Sequence, residues 1–272
     1  MRILSLNPDP ILEIPFLNAG RGPGQFFEDR LFVQEAIVSG LPDGVSAIVA
    51  TGDLQGRGWF EDNRWRPFRL LGETLPLRLV EEILPDMRLN SGRIGAFLAG
   101  DFYTLPGLEK RGGSGDVTAV WEAFGDAFDW VVGVPGNHDM FGPSEDDTPY
   151  CPRHVHYLDD SRVNIDGLQI AGLGGIVGRP NRLHRRSEED YIARLSSLLQ
   201  HRTDVLITHT GPNDPVGKQI GSPLIREVVE KFGPSLVVRG HAHWNQPLVE
   251  LTGGVQVLNV DARVVVLREQ ER

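Results

Sequence analysis

The chain has 272 residues, with 37 acidic against 27 basic side chains and a formal net charge of −10. That length suits one large α/β domain with a full hydrophobic core. The charge repels polyanions, so no dedicated nucleic-acid surface is expected. The single cysteine, Cys151, excludes an internal disulfide. With no charged-then-apolar leader and no apolar run of membrane-spanning length, a soluble cytoplasmic protein with no membrane partner is expected.

In chain order, residues 1–6 read as a strand, broken afterwards by Pro8, Pro10 and Pro15, with a Gly-rich loop at 19–24. Residues 28–39 carry helical spacing, with Leu31, Phe32, Glu35, Ala36 and Val38 marking the faces, so residues 1–44 form an N-terminal βα extension. Apolar runs at 45–50, 94–99, 130–134, 205–208 and 236–239 read as buried strands. A short amphipathic helix is expected from Leu75 to Leu84, ended by Pro85, and another over 117–128. An acidic, proline-bearing loop follows at 143–152. Asp166-Gly167, inside the alternating run 163–175, predicts a hairpin. Ser187 caps a helix over 187–199, with Asp190 where a capping box usually has Glu or Gln. The tail, 255–267, alternates as strands. No linker or low-complexity tract divides the chain, so residues 1–272 read as a single domain. Early βα units and late hairpins fit an α/β fold: two mixed β-sheets packed as a sandwich and flanked by helices, α/β/β/α.

Five of these strands end in Asp, Asn or His. Thr51-Gly52-Asp53-Leu54-Gln55-Gly56-Arg57 follows the first and Gly100-Asp101 the second. Gly136-Asn137-His138-Asp139 follows the third, His209 closes the fourth, and Gly240-His241-Ala242-His243 follows the fifth. Open α/β sheets bind ligands outside the carboxyl ends of their strands. Carboxylate, amide and imidazole gathered there suit one or two divalent ions.

This ordered set resembles the calcineurin-like metallophosphoesterase family, whose blocks are Asp-x-His, Gly-Asp, Gly-Asn-His-Asp/Glu, a lone His and Gly-His-x-His. The resemblance runs from about Val45 to the C-terminus, with Gln55 standing where the family has His. A rival first block is Asn7-Pro8-Asp9, with Asp53 then in the second. Spacing favours Asp53: 48 positions separate it from Asp101, and 36 separate Asp101 from Asn137, each gap holding one helix and one strand. The resemblance implies two ions, the first held by Asp53, Gln55, Asp101 and His243, the second by Asp101, Asn137, His209 and His241. Manganese is the expected metal, with iron, zinc or magnesium as alternatives. It further implies hydrolysis of a phosphate mono- or diester by a metal-bound hydroxide, with His138 protonating the leaving oxygen and Asp139 orienting an imidazole. The expected partner is a small phosphorylated substrate. The competing reading is a degenerate, non-catalytic metal-binding interaction module or a phosphate-ester sensor, favoured by Gln55.

Each of these residues also has a structural reading. Asp101 alone would pass for a helix cap, and the His241/His243 pair for a solvated strand end. Arg57 and Trp244 adjoin the motif turns and could touch substrate, Trp244 equally serving as packing. Arg179, Arg182, Arg185 and Arg186 offer a phosphate-binding loop or a solvated lead-in to the helix at 187. His154 and His156 read as a partly exposed strand, and His184 and His201 as solvated.

Overall fold

The central strands are buried on both faces, alternate residues entering a core shared by two sheets and the rest facing helices outside it. The computed structural model describes residues 1–20, 22, 25–59, 68–89, 93–144 and 147–270, so parts of the expected loops at 19–24 and 143–152 lie outside the described residues. The chain begins with β1 (Arg2–Leu6), β2 (Leu12–Ala19), β3 (Phe26–Ser39) and β4 (Val45–Gly52). Helix α1 (Leu71–Arg78) continues through a π turn (Leu79–Ile83) into α2 (Leu84–Asp86). Then come β5 (Arg93–Leu98), β6 (Gly115–Asp116), α3 (Thr118–Ala127), β7 (Trp130–Gly133), β8 (Asp139–Met140) and β9 (Val155–Tyr157). The second half holds β10 (Ser161–Ile165), β11 (Leu168–Leu173), β12 (Ile176–Val177), β13 (Arg185–Arg186), α4 (Glu188–Leu199) and β14 (Val205–Thr208). It closes with α5 (Pro223–Phe232), β15 (Leu236–Arg239), β16 (Leu248–Glu250), β17 (Gln256–Asn259) and β18 (Arg263–Glu269).

One mixed sheet runs β1-β3-β18-β4-β5-β7-β9, with β2 also paired to β3. The other runs β10-β11-β14-β15-β17-β16. Ile48, Ala50, Phe97 and Val132 of the first sheet meet Ile170, Ile207, Val238 and Leu258 of the second in a central core. The alternate residues Ala47, Val49 and Leu98 face outward onto α1 and α3, where Leu75, Val120 and Phe124 cover them. On the opposite side Leu206 and Val237 are covered by Leu195 of α4 and Val229 of α5. The result is the expected α/β/β/α sandwich.

The crossovers β4–β5 and β5–β7 are parallel, so their carboxyl ends lie side by side. The hairpin forms as expected: Ile165 pairs with Leu168 across Asp166 (φ 49°) and Gly167 (φ 92°), left-handed values that fit a two-residue hairpin turn. Ser187 caps α4 by accepting the Asp190 N–H at 3.2 Å. The first helix starts earlier than expected, at Leu71, and its π turn carries the helical path past Pro85 instead of ending there.

Residues 28–39 are not a helix. They belong to β3, a 14-residue strand paired antiparallel to β1 and β2 and parallel to β18. The strand buries Leu31 and Val33 in the outer core, then Ala36 and Val38 on its other face in the central core. That change of buried face breaks the period of two and mimics helical spacing. The N-terminal extension is therefore made of strands.

Phe97 is fully buried in the central core, its ring centroid 5.7 Å from that of Trp130. Phe97→Ala is expected to destabilise the fold by about 3–5 kcal/mol, the usual cost of emptying an aromatic core site. Urea unfolding of the two proteins checks it, and a loss below about 1 kcal/mol would show that the shared core is not tightly packed there.

Candidate metal centre

Each motif side chain stands just past a strand end: Asp53 after β4, Asp101 after β5, Asn137 and His138 after β7, His209 after β14, His241 and His243 after β15. The first three strands belong to one sheet and the last two to the other, and the sets of ends meet where Asp101 Oδ2 lies 3.3 Å from His209 Nε2. Asp101, His209 and His241 each present a ligand atom within 4.8 Å of the others.

The backbone at this junction is strained. Asp53 (φ 54°), Asp101 (φ 59°) and His241 (φ 69°) all adopt left-handed conformations, which cost about 1–3 kcal/mol each and persist only where surrounding bonds enforce them. Those bonds are present. The Asp53 N–H donates to Gly100 O at 2.8 Å, the Asp101 N–H to Asp139 Oδ2 at 2.8 Å, and the His241 N–H to Asp53 Oδ2 at 2.8 Å. Two glycines are required by close approach: a Cβ on Gly136 would collide with Asp101 Oδ1, and one on Gly240 with Asp53 Oδ2.

The Asp101 carboxylate is 2 % exposed and fully engaged. Its Oδ1 accepts the His138 N–H at 2.9 Å, and its Oδ2 accepts Gln55 Nε2 at 3.1 Å. Asp139 plays a different part from the one expected. Its carboxylate accepts the backbone N–H groups of Asp101, Phe102 and Gly136, each at 2.8 Å, and so ties the two turns together without touching an imidazole by its side chain. Burial, and then the nearby Asp101 charge, push Asp139 up to about 6.

Electrostatics at the centre favour a cation. Burial and the neighbouring Asp261 carboxylate raise Asp53 well above the usual range. Burial also opposes ionisation of Asp101, yet His209 outweighs it and holds Asp101 below its ordinary value. Desolvation works against a charged His209, but the Asp101 and Asp53 carboxylates push it up to about 10. His209 Nδ1 lies 2.7 Å from Ala99 O, so the ring donates there and directs Nε2 at the centre. Among the described residues, buried Asn137 Oδ1 has no hydrogen-bond partner, while His209 Nε2 faces the Asp101 carboxylate at 3.3 Å. An orphaned amide oxygen and a carboxylate-bound imidazole beside further carboxylate fit a divalent ion, whose entry displaces the protons held there.

The remaining predicted ligands stand around this trio. Gln55 reaches it through Asp101, and Asp53 through the His241 backbone. His243 lies outside the trio, half open to solvent, with Nδ1 3.4 Å from Asp261 Oδ1. It borders one cavity together with Asp53 and Gln55. Asn7 and Asp9 are exposed, and the Asn7 amide oxygen accepts the Asp9 N–H at 3.1 Å. His138 Nδ1 lies 3.3 Å from Ser114 Oγ.

Asp261 and Arg239 escaped the sequence reading. Asp261 is buried, bridged in the backbone to Gly52 beside Asp53, and holds His243 as ligand imidazoles are commonly held by carboxylates. Its signal was available: Asn259-Val260-Asp261 is one more strand end bearing polar ligand types. Arg239, fully buried on β15, is pushed down to about 10 by burial while Asp53 and Asp261 pull the other way.

Other residues fall outside the site. Arg57 is buried and donates to Phe68 O at 2.7 Å and to Thr104 O, so it braces a loop. Trp244 is packing: fully buried, donating to Ile220 O at 2.7 Å, with the Arg239 guanidinium 5.1 Å from its ring centre. Arg186 pairs with Asp159 at 2.6 Å. His184 is partly buried, not solvated, with Nε2 3.0 Å from Asp139 O.

Gly240→Ala is expected to keep the fold and weaken divalent-ion binding at least tenfold, because Asp53 must move away from the new methyl group. Circular dichroism and equilibrium dialysis against manganese check it. Undiminished binding by the folded variant would show that Asp53 is not fixed by this turn.

A family model described as calcineurin-like phosphoesterase matches residues 46–245. Comparison with curated protein sequences finds no match. Among solved structures, TT1561 of Thermus thermophilus is similar at 18% identity and a TM-score of 0.51, over 79% of this chain and 88% of that one. A hypothetical protein from the same organism aligns at 17% identity and a TM-score of 0.44, over 78% and 75%. The first likeness concerns the fold. The family match spans the strand ends that carry the acidic turns, the Asn137-His138 turn and the paired histidines, and by it the chain belongs to the calcineurin-like phosphoesterase family.

Proposed function

We propose that the protein is a dinuclear metal-dependent phosphoesterase acting on a small phosphorylated molecule in the cytoplasm. The observation that carries this reading is the cluster of Asp101, His209 and His241 ligand atoms within 4.8 Å of one another, in turns that also hold the orphaned Asn137 Oδ1. Asp53, Gln55, Asp101 and His243 would hold one cation, and Asp101, Asn137, His209 and His241 the other. When bound, such a pair supplies Lewis acidity toward a phosphoryl oxygen and lowers the pKa of water. Gln55 offers an oxygen donor in place of imidazole, which biases the first position toward manganese or magnesium.

The chain's own residues supply the rest. Asp101 can bridge because it has two oxygens, and its backbone N–H is pinned by Asp139. Ser114 near Nδ1 steadies the His138 ring and leaves Nε2 to protonate the departing alkoxide. Asp261 orients His243. Among the described residues no helix is long and apolar enough to cross a membrane.

One observation favours the non-catalytic alternative. The Gln55 Nε2 donates to Asp101 Oδ2, so coordination through Oε1 requires the amide to turn over.

Activity toward an aryl phosphate or an aryl phosphodiester should require divalent metal and vanish on chelation. Full hydrolysis by protein shown to contain no metal would sink the reading. His138→Ala is expected to keep its ions while losing roughly 10²–10⁴-fold in turnover, whereas Asp101→Asn should lose metal and turnover together. Metal analysis beside steady-state rates separates them, and the reverse pattern would exchange the assigned roles.

A further inference from the structure

Two cavities open beside His243. The smaller, about 280 Å³, is bordered by Asp53, Gln55, Arg111 and Phe32 as well as His243. The larger, about 590 Å³, extends from His243 and Phe32 to Asn245, Gln246 and Pro247. Phe32, His243 and Arg263 border both, so the two form one trough leading away from the Asp53 side of the centre.

The trough has a charged end and a neutral end. Asp53, the His243 imidazole and Arg111 stand at the first. No described Asp or Glu borders the larger part, in a chain of net charge −10. Nor does that part offer a free cation for a second phosphate. Arg263 is buried, donating to Trp244 O at 2.7 Å and lying 3.5 Å from Gln34 Oε1. Gln34 in turn donates to Asn7 O and Pro8 O, both at 3.1 Å. These side chains brace the floor. The walls are apolar, from Leu6, Pro8, Pro10 and Pro247. Phe32 stands between Glu13 and Arg263 in the sheet and is 44% exposed. The exposed amides of Asn245 and Gln246, which also border this part, are engaged by no described residue.

A cavity of this size suits a small organic ligand. An exposed aromatic face takes a planar ring of any base, and Asn or Gln amides match the donor–acceptor edge of adenine. A phosphopeptide would need charged partners that this part lacks. We propose that the trough is a base-binding arm and that the phosphate ester handled here is borne by a nucleoside, with its ring on Phe32 and its edge toward Asn245 and Gln246. The phosphate then lies at the Asp53–His243 end. Hydrolysis would break the ester P–O bond, with water supplying the hydroxyl on phosphorus and the proton on the released alcohol. The fate of the phosphate rests on the phosphoesterase reading; the binding of the base does not.

Calorimetric titration with AMP and with ribose 5-phosphate, which has the sugar and phosphate but no base, tests this with and without manganese. AMP should bind wild type roughly tenfold or more tightly, as stacking on one aromatic ring permits. Phe32→Ala should erase most of that preference, Phe32→Tyr should retain it, and the double variant Asn245→Ala/Gln246→Ala should reduce it. Equal affinity for the two ligands in wild type, or an undiminished preference in both Phe32→Ala and the double variant, would overturn the proposal. Should Phe32→Ala fail to fold, the double variant decides alone. If AMP is preferred but no ester is hydrolysed with manganese present, the base arm stands and the phosphoesterase reading falls. If an aryl phosphate is hydrolysed without any base preference, the opposite holds.

Discussion

The Asp101 carboxylate is buried where the two sheets meet, and keeping a charge there constrains everything around it. Its oxygens draw in the His138 backbone, the Gln55 amide and the His209 ring, while its own backbone N–H is gripped by Asp139. A buried carboxylate left without such partners would cost several kcal/mol. The turns after β5 and β7 are therefore locked to each other, and the turn after β14 is brought against them. Left-handed backbone at Asp53, Asp101 and His241 is the local cost of aiming three strand ends at one point.

The same crowding explains the glycines of the motifs. Gly136 and Gly240 stand where a single methyl group would strike Asp101 or Asp53. They serve close packing against carboxylates, and their freedom of φ is secondary. Asp261 and Arg239 extend the arrangement behind Asp53, one adding negative charge and the other partly balancing it. Excess carboxylate, the unpartnered Asn137 Oδ1 and fixed imidazole orientation together make a poor resting structure without a cation. That imbalance is what makes the junction a candidate metal centre.

The strand ends were legible because each combines an apolar run, a glycine and a ligand-type side chain within a few residues. The hairpin at Asp166-Gly167 and the Ser187 cap were legible for similar local reasons. β3 was not, because it buries opposite faces in its two halves, a consequence of tertiary packing. Helix α5 did carry local signals, Ser222 and Pro223 before it and Gly233 (φ 66°) after it, but no ligand motif drew the reading there. Asp139 was recognised as part of the site and given the wrong partner, since three backbone N–H groups from separate turns cannot be seen in a linear motif. Asp261 reaches the site only through the pairing of the two sheet edges near Gly52. The trough depends equally on β3 lying beside β18, which no spacing of residues foretold.

Anomalous diffraction from crystals soaked in manganese would test the central claim most directly. The account predicts two peaks roughly 3.5–4 Å apart, flanking the Asp101 carboxylate, with Asn137 Oδ1 and His209 Nε2 on one and Asp53 and His243 on the other. A single peak remote from Asp101, or none at saturating metal, would contradict it.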